Sequence, residues 1–349
     1  MSNCFYQLPD LLAICPSKSV PPNIHAKAPE IQRHKNCGRR CSISWNLIAC
    51  KNAKATIAVS FFFPNGDAKA FKAAVAYGKA GIILEKLTDA ATVVDARKWA
   101  TLYINAFDHV IQGTKAQHPF VRLINGIKAM HPFVLLIRSL AASANECLED
   151  LYRKEFLDAN SALAQGIVQE AVDRQAAQDA NAKLTVDVYL ATRRNTIGVK
   201  AALVLVRSAR GLNICSRLLD DPSVRGMEEA TTDLVIIAND IYSYKKELVD
   251  DNGAQHNLLT VLMQDPKWGH LDLQGAIDCA GQLFESAIAR FKECRANLPS
   301  IDEETNMMLA TYADTMVDTF VGNIEWSLIC KRYSVFENEE SRQKGLLSL

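Results

Sequence analysis

Asn239, Ser243 and Glu247 stand four and eight residues apart in the stretch ANDIYSYKKE, residues 238 to 247. On a helix, at about 100° per residue, the three stay within roughly 80° of one face and span about 12 Å. All three present oxygen. A hard cation such as Mg2+ takes oxygen ligands, few of them from protein and the rest from water and a phosphate-bearing substrate. Lys246 adjoins Glu247 and carries a point charge suited to a phosphate oxygen. The competing reading is the solvated end of an amphipathic helix. The run just before the motif, LVII, argues against it, because it buries the helix before its polar residues begin. An oxygen-donor set at the floor of a helical cavity fits that order.

The elements that would position this set are helices. From about residue 66 onward, apolar residues recur at three and four spacings, as in AFKAAVAYGKAGIILEKL, VVDARKWATLYINAF and EEATTDLVIIANDIYSYKKEL. Gly and Pro fall mostly between such segments. The reading is an all-α fold of about ten helices around a central cavity, with no repeat of fixed period. TIAVSFFF, residues 56 to 63, is the best strand candidate, yet one strand makes no sheet. Residues 1–65 read as an N-terminal strap and first helix, 66–335 as the helical domain and 336–349 as a C-terminal tail, together one structural domain.

Bulk composition excludes several classes. The 349 residues carry 39 positive and 39 negative side chains, so a nucleic-acid binder is not indicated. Ten cysteines in a chain of this length are not a disulfide scaffold. The first residues, MSNCFYQLPDLLAICPSK, make a poor secretory signal because Pro9 and Asp10 interrupt them. The apolar run TIAVSFFFP is too short to span a bilayer. The expectation is a cytoplasmic protein with reduced thiols and no stable membrane insertion.

With these residues in hand, the chain resembles the class I terpene synthases, in particular the fungal, basidiomycete-type sesquiterpene synthases. NDIYSYKKE is similar to that family's second metal-binding motif. YLATRRNTIGV resembles the segment with the pyrophosphate-sensing arginine, placing it at Arg193, with the adjacent Arg194 as alternate. WSLICKRY resembles the C-terminal Arg-Tyr pair, giving Arg332 and Tyr333. FYQLPDLL looks like the family's N-terminus. The family's Asp-rich motif has only LEKLTD as its counterpart. There Glu85 stands at the first acid, Lys86 at the second and Asp89 at the last. Glu85 and Asp89 are one helical turn apart and can share a face, while Lys86 lies about 100° away.

The resemblance implies a Mg2+-dependent enzyme, with three ions and with Mn2+ as an alternative, acting on a prenyl diphosphate. Asn239, Ser243 and Glu247 would hold one ion and Glu85 and Asp89 the others. Arg193, Lys246, Arg332 and Tyr333 would bind the diphosphate. Thr196 and Ile197 would sit at a helix break that links diphosphate binding to the cation. Farnesyl diphosphate is the expected substrate. A dry pocket would give a cyclic hydrocarbon, and a wetter one an acyclic alcohol of the nerolidol type, or linalool from geranyl diphosphate; the sequence leaves these open. A chain-elongating prenyltransferase would show two Asp-rich motifs, and none is intact here. A catalytically weakened isoprenoid-binding protein is the alternative of another class. Dimers are common for such folds, and a homodimer is carried on that analogy alone.

His34, Cys37, Cys41 and Cys50 could suggest zinc, but their spacing fits no paired-knuckle pattern, and reduced cysteines are the better reading. The flanking Arg33, Lys35, Arg39 and Arg40 read as a solvated strap. Among the aromatics, Phe61, Phe62, Phe63, Tyr103, Phe320 and Trp326 are core by default, with Phe62 and Trp326 as guesses for a pocket role.

Overall fold

A computed structural model describes residues 5–18, 55–62, 68–111, 132–178, 184–250 and 253–349. The sequence-stretch candidates for zinc and the basic strap, residues 33 to 50, lie outside these, as does Phe63.

Among the described residues the chain folds as helices with one small ladder. They are α1 (Leu11–Ile14), α2 (Ala55–Phe62), α3 (Ala68–Thr88), α4 (Val93–Ile111), α5 (Pro132–Cys147), α6 (Asp150–Gln178), α7 (Val186–Thr196), α8 (Val199–Ala209), α9 (Ser216–Leu219), α10 (Pro222–Asp250), α11 (Leu258–Gln264), α12 (Leu273–Ala296), α13 (Glu303–Ile329) and α14 (Glu339–Gln343). The ladder pairs β1 (Phe5–Gln7) antiparallel with β2 (Leu346–Ser348), with Tyr6 opposite Leu347. It ties the N-terminal segment to the C-terminal tail. The sequence offered no alternation long enough to announce it. Among the described residues no helix is long and apolar enough to cross a membrane.

The core forms around α10. Leu234, Ile236, Ile237, Ala238 and Ile241 are buried on every side of this helix, which packs on α12 and α13. Each of the leucine and isoleucine side chains contributes about 1.5–3 kcal/mol by leaving water. A second cluster joins α3, α4, α5 and α6, with Phe107, Ile137, Leu140 and Phe156 at its centre.

TIAVSFF, residues 56 to 62, is a helix, not the strand its alternation suggested. Ala58, Val59 and Phe61 are buried, and Ile57 and Phe62 are partly so, because α2 is covered by α3 and α13. An apolar run covered on several sides carries no diagnostic period. A lone strand there would leave its backbone groups unpaired, whereas a helix satisfies its own. Contact with α13 is close: a Cβ at Gly322 would lie 2.5 Å from the Phe61 carbonyl oxygen, so only glycine fits. Lys18 seals the outside of this contact, with Nζ 2.5 Å from Glu325 Oε2 and 3.4 Å from the same Phe61 carbonyl.

The break between α7 and α8 positions much of the site. Thr185 caps α7 by accepting the Val188 amide. The helix ends at Thr196, and Gly198, at φ +82°, takes the left-handed conformation that lets α8 restart. Tyr77 Oη donates to the Gly198 carbonyl at 2.9 Å, which holds the break against α3.

Candidate active site

The break, α3, α6, α10 and α13 enclose a cavity of about 280 Å3. Much of its wall is apolar, including Phe62, Tyr77, Leu163, Ile167 and Trp326. The charged groups fall in two clusters, one around Arg193 and one around Glu85.

The first includes the middle of α10. Asn239 and Glu247 line the cavity, and Ser243, buried between them, donates to Glu247 Oε1 at 2.5 Å. Asn257, the N-cap of α11, donates through Nδ2 to Glu247 Oε2 at 2.9 Å and to the Asp240 carbonyl at 3.0 Å. The start of α11 therefore fixes the orientation of the motif's carboxylate.

Arg193 reaches this set from α7. Its Nη2 donates to Asn239 Oδ1 at 3.0 Å and lies 3.6 Å from Asp240 Oδ1. Its Nη1 lies 3.9 Å from Glu170 Oε1 on α6. Asn239 turns its amide nitrogen the other way and donates to Tyr333 Oη at 2.7 Å. Tyr333 in turn packs edge-on against Trp326, with ring centroids 5.4 Å apart.

Glu85 and Asp89 face the cavity from α3, while Lys86 points to the surface. Glu85 Oε1 receives Lys246 Nζ at 3.0 Å and also an Arg332 guanidinium nitrogen. Burial alone would raise the Glu85 carboxyl. Arg332 and then Lys246 outweigh it and hold the carboxyl at about 2. The side chain still keeps 40% of its surface accessible, and it forms part of the cavity wall. For Arg332 and Lys246 the same pairing works in reverse: burial lowers each, and the Glu85 charge more than restores it. Asp240 has the opposite fate. Its burial pushes the carboxyl up to about 6 despite the counter-pull of Arg193. It accepts the Tyr189 hydroxyl and the Leu258 amide, the latter at 3.0 Å.

Arg194 does not line the cavity. It makes a two-pronged pair with Asp233, Nε to Oδ1 at 2.7 Å and Nη2 to Oδ2 at 2.8 Å, and Arg290 joins the same carboxylate at 2.5 Å. One residue on a helix turns the side chain by about 100°, and that rotation separates the two arginines.

Several site residues carried no sequence signal. Glu170 accepts the Thr196 hydroxyl and lies 3.6 Å from His256 Nδ1. His256 packs its ring on Tyr189, centroids 4.9 Å apart, and its Nε2 lies 3.7 Å from Asp173. Arg174 donates to the Thr88 carbonyl at 2.7 Å, beside Asp89. These groups come from separate segments without a shared spacing. Asp240 was inside the quoted motif, but its role needed α11 to be visible.

Among the described residues, no three His, Cys, Asp or Glu side chains already converge as a metal cage. The oxygen donors instead come from two helices, α3 and α10, with Asn239 and Ser243 completing the carboxylates. These oxygens suit a hard divalent cation.

Residues 88–290 match the family model described as terpene synthase family 2, C-terminal metal binding. Sesquiterpene synthase 3 of Postia placenta is 33% identical over 194 residues, which are 56% of this chain and 50% of that protein. Alpha-muurolene synthase of Coprinopsis cinerea is 35% identical over 181 residues, 52% of this chain and 41% of that protein. The chain spans about half the length of the curated relatives it matches. Linalool/nerolidol synthase from Streptomyces clavuligerus superposes with a TM-score of 0.67 at 18% identity, covering 90% of this chain and 98% of that one. Germacradien-4-ol synthase from Streptomyces citricolor gives 0.66 at 16% identity, covering 93% and 95%. At these identities the structural likeness establishes the helical terpenoid synthase fold.

Proposed function

Because the chain belongs to terpene synthase family 2, we propose that it ionises a prenyl diphosphate, with farnesyl diphosphate preferred, and releases a sesquiterpene and diphosphate. One observation carries the reading: a largely apolar cavity meets a set of polar groups, with Arg193, Glu85, Asn239 and Glu247 in its wall and Lys246 and Arg332 paired to Glu85 behind it. An isoprenoid chain needs the first and its leaving group the second. The sesquiterpene synthases among the relatives support the fifteen-carbon substrate.

C–O cleavage places negative charge on the leaving diphosphate. Arg193, Arg332 and Lys246 stabilise that charge more than they stabilise the intact substrate, which is electrostatic catalysis. Before substrate arrives, Glu85 holds Arg332 and Lys246 in position; they exchange its carboxylate for phosphate oxygens. Asn239 and Tyr333 orient each other and keep Arg193 aimed at the cavity. Divalent ions, taken as three Mg2+ with Mn2+ able to substitute, would be held by Asn239, Ser243 and Glu247 and by Glu85 and Asp89; when bound they neutralise the leaving oxygens. Phe62, Tyr77 and Trp326 line the cavity, where an aromatic ring stabilises a desolvated cation by about 2 kcal/mol.

The test is incubation with farnesyl or geranyl diphosphate plus Mg2+, with volatile products read by mass spectrometry. Sesquiterpenes from the farnesyl substrate, formed faster than any ten-carbon product, are the expected result. Absence of both volatile product and diphosphate release with either substrate overturns the reading.

A further inference from the structure

Arg174 lines the cavity from α6. Its Nη2 donates to the Thr88 carbonyl at 2.7 Å, and among the described residues this is its one hydrogen bond. An arginine carries five N–H donors, so most of this fork is unused. The side chain is half-buried, and none of its nitrogens is both unpartnered and sealed off, in contrast to Arg193 Nε and to Nε and Nη1 of Arg207. The unused donors are within reach of a ligand.

Its charge is also uncompensated. Arg193 lies near Asp240 and Glu170, Arg194 and Arg290 hold Asp233, and Arg332 holds Glu85. Among the described residues no carboxylate forms such a pair with Arg174. The acids nearest it on α6 are engaged elsewhere. Glu170 accepts the Thr196 hydroxyl and lies 3.6 Å from His256 Nδ1. Asp173 accepts from Gln169 at 2.8 Å and lies 3.7 Å from His256 Nε2. A purely structural role would be to cap the end of α3, whose last carbonyls lack partners within the helix. The Thr88 carbonyl already accepts the Ala91 amide at 3.1 Å, so that end does not depend on the arginine. The bond to Thr88 instead holds the guanidinium at the cavity wall. Arg332 and Lys246 reach α3 at Glu85, three residues earlier and less than one helical turn away. Both sets of cations therefore meet the same end of α3.

We propose that Arg174 binds the diphosphate group of the substrate, as a contact additional to Arg193, Lys246 and Arg332. The inference rests on the proposed ionisation and adds a residue that touches its leaving group. Nη2 stays on Thr88, and Nε and Nη1 donate to phosphate oxygens. Charge-assisted bonds of this kind strengthen as negative charge gathers on the departing group.

The experiment titrates inorganic diphosphate, with Mg2+ present, into wild type, Arg174→Gln and Arg174→Lys in a calorimeter. Turnover of farnesyl diphosphate and the melting temperatures of the ligand-free proteins are measured alongside. Affinity is read per folded molecule, because unfolded protein lowers only the stoichiometry. Arg174→Gln should bind diphosphate about tenfold or more weakly and lose kcat/KM in proportion. Arg174→Lys keeps the charge without the fork and should fall between. Wild-type affinity for diphosphate in both variants overturns the proposal, and a lowered melting temperature beside that affinity assigns Arg174 to holding α3 alone. Wild type that binds diphosphate more tightly than Arg174→Gln, yet releases none from farnesyl diphosphate, supports the Arg174 contact and overturns the ionisation instead. Failure of wild type to bind diphosphate at all overturns both.

Discussion

Glu85 and Arg332 lie 247 residues apart in the chain and meet as an ion pair at the cavity wall, with Lys246 3.0 Å from the same carboxylate oxygen. Both cations are nearly buried, and this carboxylate is what allows them to sit side by side. Glu85→Gln leaves two buried positive charges facing each other. Breaking a buried pair costs about 3–5 kcal/mol. Because Glu85 opens onto the cavity, screening reduces this to about 1–3 kcal/mol. Turnover should fall at least about tenfold, since the same residue is a ligand candidate. Glu85→Asp keeps the charge but withdraws it by one methylene from both cations, so its stability should fall between the two and most turnover should remain. Urea unfolding and initial rates check both. Wild-type stability and rate in Glu85→Gln would make Glu85 an ordinary surface residue.

The same pair sets a pH dependence in the metal-free protein. The folded carboxyl sits at about 2, below its ordinary 4.5. A depressed carboxyl contributes stability that is fully present above its unfolded value and is lost as pH falls through the folded value. The stability gap between wild type and Glu85→Gln should therefore be constant above about pH 4.5 and close as pH falls toward 2. Unfolding curves across that range measure it; a gap that widened in acid would have the wrong sign.

Arg193→Ala and Arg332→Lys should each reduce turnover by about tenfold or more. A guanidinium binds phosphate oxygens through two parallel hydrogen bonds, and an ammonium cannot copy that geometry. Arg193→Ala also frees Asn239 Oδ1 and leaves Asp240 without its counter-charge, so its melting temperature should drop. Arg332→Lys retains a cation for Glu85 and should melt near wild type. Wild-type rates in both variants would remove these residues from the site.

Arg194→Ala should do the reverse. It removes one of two arginines from the buried Asp233 and leaves Arg290 in place. The cost should be about 1–2 kcal/mol of stability, with turnover within about twofold of wild type. A large loss of rate at unchanged stability would return Arg194 to the cavity.

What the sequence disclosed and what it withheld divide along a physical line. Asn239, Ser243 and Glu247 were legible because one helix carries all three, and helical spacing is enough to place them on a face. Glu85 and Asp89 were found through the resemblance to an Asp-rich motif; helical spacing added only that they share a face, and Lys86 points away as a 100° step requires. The resemblance put Arg193 first and Arg194 as alternate; that only Arg193 reaches the cavity depends on the orientation of α7 against α10, which no local pattern contains. Glu170, His256 and Asn257 reach the site only through tertiary packing. TIAVSFFF misled because β-branched and aromatic residues suit a strand as well as a helix buried on several sides. The β1–β2 ladder joins the two ends of the chain and has no local signature at all.

In the proposed reaction, the oxygens of α10 and α3 serve a divalent cation as diphosphate departs. The most direct measurement is the initial rate of diphosphate release from farnesyl diphosphate, with Mg2+, with excess chelator and with Mg2+ restored. It is made on wild type and on Glu247→Gln. Wild type should lose activity by about a hundredfold or more in chelator and recover it when Mg2+ returns, and Glu247→Gln should need more Mg2+ to reach a lower rate. Release that is undiminished by chelator, or a Glu247→Gln variant with the wild-type Mg2+ dependence, would rule out a metal role for these oxygens.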